Sequence, residues 1–82
     1  DKVFAGIVKS CENGRLTLEQ RNHFKEGDVF EVISPKNIGL SFTVENMYNG
    51  EGEKVEKAPH PQETIIIDCP FELSEGDILR KR

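Results

Sequence analysis

With 82 residues, 11 Lys and Arg against 15 Asp and Glu, and a net charge of −4, the chain is a single domain lacking the basic face that a stand-alone nucleic-acid clamp needs. A chain this short buries only about 60–65% of its unfolded surface, which leaves no room for a deep active-site cleft. Its 35% hydrophobic and 32% charged residues, 7 Gly and 4 Pro describe a turn-rich folded domain, and no apolar run approaches a membrane span.

Lys2 to Lys9 is mostly apolar with Gly6 inside it, the composition of a strand that is buried or bent closely against a neighbour. Asn13-Gly14 is a hairpin signal, because that pair tolerates the positive φ angles of a type I′ turn. Arg15 to Arg21 then returns antiparallel. Val29 to Ile33 is β-branched and aromatic, Pro35 breaks it, and Leu40, Phe42 and Val44 alternate with polar residues as a half-buried strand does. Met47 and Tyr48 are read as continuing that strand past a bulge, until Asn49 to Gly52 turns the chain toward Val55. Pro59 and Pro61 hold a rigid connector around His60. Thr64 to Ile67, with three consecutive isoleucines, reads as a strand buried on both sides or placed where a barrel closes. Ile78 and Leu79 make a last short strand, and the preceding LSEGDIL reads as a single 3₁₀ turn capped by Ser74.

One corner appears twice. Phe24, Gly27 and Asp28 lie between two strands, and Leu73, Gly76 and Asp77 repeat the spacing near the C-terminus. In each, a large apolar residue plugs the core, the glycine takes a positive φ, and the aspartate accepts hydrogen bonds from nearby amides. Two copies of one corner in a chain without helical periodicity predict an all-β fold, a small closed or partly open antiparallel β-barrel spanning residues 1–82. The chain opens at Asp1 inside strand-like sequence, and its single methionine is Met47. It therefore reads as a piece of a longer protein.

No catalytic constellation emerges. Cys11 and Cys69 lack zinc-ligand spacing and read as ordinary reduced thiols. Neither is placed by an elbow or glycine-rich loop beside His23 or His60, as Cys–His catalysis requires. Asp28 and Asp77 follow turn glycines, which explains them structurally, and no phosphate-binding loop occurs. No catalytic, metal or cofactor residue is assigned. Contact residues for a partner or substrate are expected instead at Gln20, Arg21, Asn22 and His23 in the first corner, and at His60 and Gln62 in the proline segment.

The corner EQRNHFKEGDVFEVISP, the opening VFAGIV, the PKN turn and the APHPQ segment together resemble the C-terminal domain of the U32 peptidase family, the collagenase-like proteases. The resemblance runs across nearly the whole chain. The Gly-Asp corner alone also resembles the second-domain barrels of translation factors. The resemblance implies a small antiparallel barrel appended to a larger catalytic barrel, where the family's signature glutamate, glycines and cysteines belong; no stretch here carries that signature. Members of the family are also similar to iron–sulfur enzymes that hydroxylate tRNA or ribosomal RNA, and Cys11 and Cys69 do not match a cluster pattern.

Two functions are therefore expected of such a domain. The first is a non-catalytic, cytoplasmic accessory barrel that sits against or partly covers the catalytic domain of its parent chain and helps position a polypeptide or other macromolecular substrate. The alternative is an RNA-positioning module of a hydroxylase, with Arg15, Arg21 and Lys25 meeting on one side and Arg80 to Arg82 also touching phosphates.

Overall fold

A computed structural model describes residues 3–37, 39–58 and 63–82. Among the described residues ten strands occur in the order β1 (Val3–Glu12), β2 (Arg15–Gln20), β3 (Phe24–Lys25), β4 (Val29–Ile33), β5 (Ser41–Thr43), β6 (Met47–Asn49), β7 (Lys54–Val55), β8 (Lys57–Ala58), β9 (Thr64–Asp68) and β10 (Ile78–Lys81). Eight form one antiparallel sheet, β5-β4-β10-β1-β2-β9-β6-β7, and β3 pairs with β8 as a separate two-stranded piece. The barrel is thus partly open, its edges belonging to β5 and β7.

Strand alternation decides what is inside. Ala5, Val8, Leu16, Leu18, Phe30, Val32, Ile65, Ile67 and Leu79 point into one core. An edge-to-face chain of rings runs through it, Phe24 to Phe30 at 4.9 Å, Phe30 to Phe42 at 5.9 Å and Phe42 to Phe71 at 6.2 Å. Each such contact adds about 0.5–1.5 kcal/mol beyond the area it buries.

Gly6 sits on β1 directly against β2. A Cβ there would lie 2.6 Å from the Glu19 carbonyl oxygen and 2.7 Å from Leu18 Cδ1, so the close approach read from the sequence is real and excludes any larger residue. The register slips between Phe4 and Gly6, leaving Ala5 as a bulge. Asn13 and Gly14 both take positive φ, as the hairpin requires.

The two corners are built alike. Gly27 and Gly76 have φ of 93° and 92°, and the aspartate that follows accepts from the amide three residues back, Lys25 N–H to Asp28 Oδ2 at 2.9 Å and Ser74 N–H to Asp77 Oδ2 at 3.0 Å. Each corner then docks on a distant valine, Val44 just past β5 or Val8 within β1, by reciprocal backbone bonds. Gly27 N–H donates to Val44 O and Val44 N–H to Asp28 O; Gly76 N–H donates to Val8 O and Val8 N–H to Asp77 O. The strands that follow pair with each other, Glu31 facing Arg80. The registers Val29–Thr43 with Phe30–Phe42, and Ile78–Ile7 with Leu79–Gly6, make the units local two-fold relatives about the Glu31–Arg80 pair.

Three sequence expectations are corrected, and one element appears that the sequence did not signal. Phe42 and Met47 do not share one bulged strand: β5 pairs with β4, whereas β6 pairs with β9 and β7. Val44 to Asn46 carries the chain between these two ends of the sheet, held by the Gly27 and Asp28 bonds and by Asn46 Nδ2 donating to Asp68 Oδ2 at 2.7 Å. Ile66 is half-buried on the outer face, between buried Ile65 and Ile67, so β9 is not buried on both sides. The LSEGDIL segment is a glycine turn with no 3₁₀ helix, and Ser74 donates to the capping aspartate instead of capping. Lastly, β8 extends the barrel's end just before the proline segment, an element without a local signal.

Candidate functional site

The bulge at Ala5 organises the polar corner. Its carbonyl accepts from both Arg21 N–H at 2.8 Å and Asn22 N–H at 3.4 Å, and Asn22 Nδ2 donates to Phe4 O at 2.7 Å. An extra residue in one strand bends the ladder and re-aims its neighbours. Here it turns Phe4 outward opposite Arg80 and Ile7 outward opposite Ile78.

The candidate residues separate sharply by burial. Arg21, Asn22 and His23 are exposed. Gln20 is 0% exposed; its Nε2 donates to Ala58 O and, at 3.2 Å, to Asn22 O. It ties the corner to β8 and is turned away from any partner molecule, its Nε2 spent internally and its Oε1 buried without a hydrogen bond among the described residues. His60 and Gln62 lie outside the described residues.

The structure brings the corner and the C-terminus together. Arg21 lies over the Phe4 ring, 5.9 Å from its centroid, and pairs with Glu19 at 3.2 Å. Lys81 Nζ donates to the His23 carbonyl at 3.5 Å and lies 3.6 Å from Asp28. Arg80 and Arg82 both pair with Glu31 at 3.1 Å. Burial works to push the Asp28 carboxyl up, but the Lys25 N–H, the Lys25 ammonium and the Lys81 charge outweigh it and hold the group below its usual value. The expected grouping of Arg15, Arg21 and Lys25 does not form. Arg15 opens β2 and Arg21 follows its end, about 20 Å of strand apart. Arg15 is engaged by Asp68 at 3.4 Å and by the Tyr48 ring.

Beside this corner lies a surface the sequence did not reveal. Ile7, Ile78 and Ile33 are cross-strand neighbours on β1, β10 and β4, all facing away from the core. Ile33 is 42% exposed and Phe4 38%. The next row carries Phe4, Arg80 and Glu31. An aliphatic and aromatic stripe crossing three adjacent strands, bordered by arginines that already have carboxylate partners, has the composition of a protein interface more than of a phosphate-binding face. The bulge in VFAGIV was the only sequence signal, and it fixes the facing only once the β10 register is known.

Among the described residues no His, Cys, Asp and Glu side chains group as a metal site, and no helix is long and apolar enough to cross a membrane. Cys11 and Cys69 are free thiols.

Comparison with known proteins agrees with this architecture. The family model for the peptidase family U32 C-terminal domain matches residues 1–80. Two crystal structures of the C-terminal domain of a Geobacillus thermoleovorans protein assigned to the U32 peptidases superimpose closely. One has a TM-score of 0.92 at 28% identity, covering 98% of this chain and 92% of that one. The other, a selenomethionine variant, has a TM-score of 0.90 at 29% identity, covering 95% and 98%. A curated relative, tRNA hydroxylation protein P1 of Bacillus subtilis (strain 168), is 28% identical over 80 residues, 95% of this chain. The chain spans only 19% of that relative's length. Sequence pattern, fold and relatives converge: the chain belongs to the U32 family as its C-terminal domain.

Proposed function

We propose that the domain is a non-catalytic accessory module of a longer U32 protein acting on RNA, with tRNA the favoured substrate class. It docks on the neighbouring part of that protein through the outer face of β1, β10 and β4. The observation that carries this reading is the Phe4, Ile7, Ile78 and Ile33 stripe. Those residues face outward from interior strands of a sheet whose other side already holds the core, so their burial requires a second body. The corner at Arg21, Asn22 and His23 borders the stripe and would lie at the rim of the docked interface, next to substrate.

Support for an RNA substrate comes from the tRNA-related name of the Bacillus subtilis relative, and from Arg21 stacked on an exposed aromatic ring. The charge balance restricts how far the corner acts alone. Glu19, Glu31 and Asp28 partner its cations, so it orients RNA that the rest of the protein holds.

The longer protein tests both parts. Ile33→Asp should loosen docking, read as faster proteolysis between the domain and its neighbour with an unchanged unfolding midpoint for the domain itself. Arg21→Ala should weaken tRNA binding a few-fold at low salt, with the gap narrowing as salt rises. Unchanged proteolysis would remove the docking face, and unchanged tRNA affinity would remove the corner's role.

A further inference from the structure

We propose that Cys11 and Cys69 form an oxidisable pair that closes to an intramolecular disulfide. Far apart in sequence, they line one cavity of about 280 Å³ together with Gly14, Pro70 and Phe71. Phe71 links the two: Cys11 Sγ donates to its carbonyl at 3.4 Å, and its backbone partly offsets the effect of burial on the Cys69 thiol. Each partner is fixed in place. Cys11 sits opposite Leu16 in the β1–β2 ladder, while Cys69 N–H donates to Gly14 O at 2.9 Å, which holds the strand following β9 beneath the hairpin.

The environments assign different roles. Cys69 is 5% exposed, and burial pushes its thiol up, so it stays protonated and hidden from a soluble oxidant. Cys11 is half-buried and reaches solvent through the cavity. With hydrogen peroxide as the two-electron oxidant, the Cys11 sulfur attacks one peroxide oxygen. An S–O bond forms, the O–O bond breaks, and water leaves with the thiol proton. Cys69 then attacks the sulfenic sulfur: the S–S bond forms, the S–O bond breaks, and the departing hydroxide takes the Cys69 proton as a second water. Two thiols and one peroxide give one disulfide and two waters. The bond would tie the β1–β2 hairpin to the segment leading into the second corner, closing a long loop.

The test is native treatment of the 82-residue domain with a slight molar excess of hydrogen peroxide, followed by intact-mass measurement and thiol counting. Both thiols should disappear together, with loss of two hydrogens, no added oxygen and no dimer. The guanidinium midpoint should rise, and dithiothreitol should reverse both changes. Cys11→Ser should leave Cys69 a free thiol under the same treatment, since the buried sulfur then has no activated partner. Oxygen added to Cys11 beside an unreacted Cys69 would overturn the proposal, as would a dimer linked through Cys11, two unchanged thiols, or oxidation of Cys69 in the Cys11→Ser protein.

Discussion

The first corner, Phe24 to Asp28, and the second, Leu73 to Asp77, share a backbone design and differ in what surrounds it. Both turn on a glycine near φ 92°, both use an aspartate to hold the amide three residues back, and both bond a valine elsewhere in the chain. At the first, Asp28 also carries Lys25 and Lys81, and exposed Arg21 to His23 lead into it. At the second, Asp77 is 6% exposed and has no cation at ion-pair distance among the described residues. One local solution to closing a barrel end thus serves as pure scaffold at one place. At the other it supports a surface.

The comparison can be broken most directly at the plugs. Phe24 is fully buried against the Phe30 ring, so Phe24→Ala should cost about 3–5 kcal/mol in denaturant unfolding. Leu73→Ala, lacking the ring contact and already 5% exposed, should cost less. A larger loss at Leu73 would mean the second corner carries more of the core than the first. Gly27→Ala and Gly76→Ala come next. An added Cβ meets nothing within 4 Å at either position, so the penalty is the positive φ alone, about 1–2 kcal/mol and alike for both. Unequal penalties would show that the backbone likeness is not an energetic one.

The first corner should respond to pH through Asp28. Because the folded-state pKa of Asp28 is lowered, its contribution is present above the unfolded carboxylate value, about 3.9, and is lost as pH falls through the folded value. Asp28→Asn should therefore be less stable than the wild type at neutral pH, with the gap closing as pH drops below about 4. A gap that persisted in acid would assign the loss to geometry and not to charge. Lys81→Met should give the smallest effect, under about 1 kcal/mol and smaller still in high salt, because the pair it removes is partly exposed.

The turns and most strands were legible because their signals are local. Asn13-Gly14, Gly27-Asp28 and Gly76-Asp77 each announce a backbone conformation within a few residues, and alternation gives the inward face of β2 and β5. What the sequence hid depends on pairing. Whether Phe42 and Met47 share a strand is decided by which neighbours β5 and β6 find. The outward facing of Phe4, Ile33 and Ile66 depends on register and on the Ala5 bulge. Gln20, chosen as a contact because it adjoins a polar run, continues the inward set of Leu16 and Leu18, and its amide finds partners only once β8 is in place. The candidate site was thus half visible: its exposed polar residues could be named, but the apolar face beside them could not.

The central claim is that the Phe4–Ile7–Ile78–Ile33 face binds the rest of a U32 protein. Calorimetric titration of the 82-residue domain into that protein lacking its own copy measures this directly. The wild-type domain should bind, and Ile33→Asp should weaken binding at least about tenfold while leaving the domain's unfolding midpoint in place. Equal affinity for the two, or no binding by the wild type, would contradict the account.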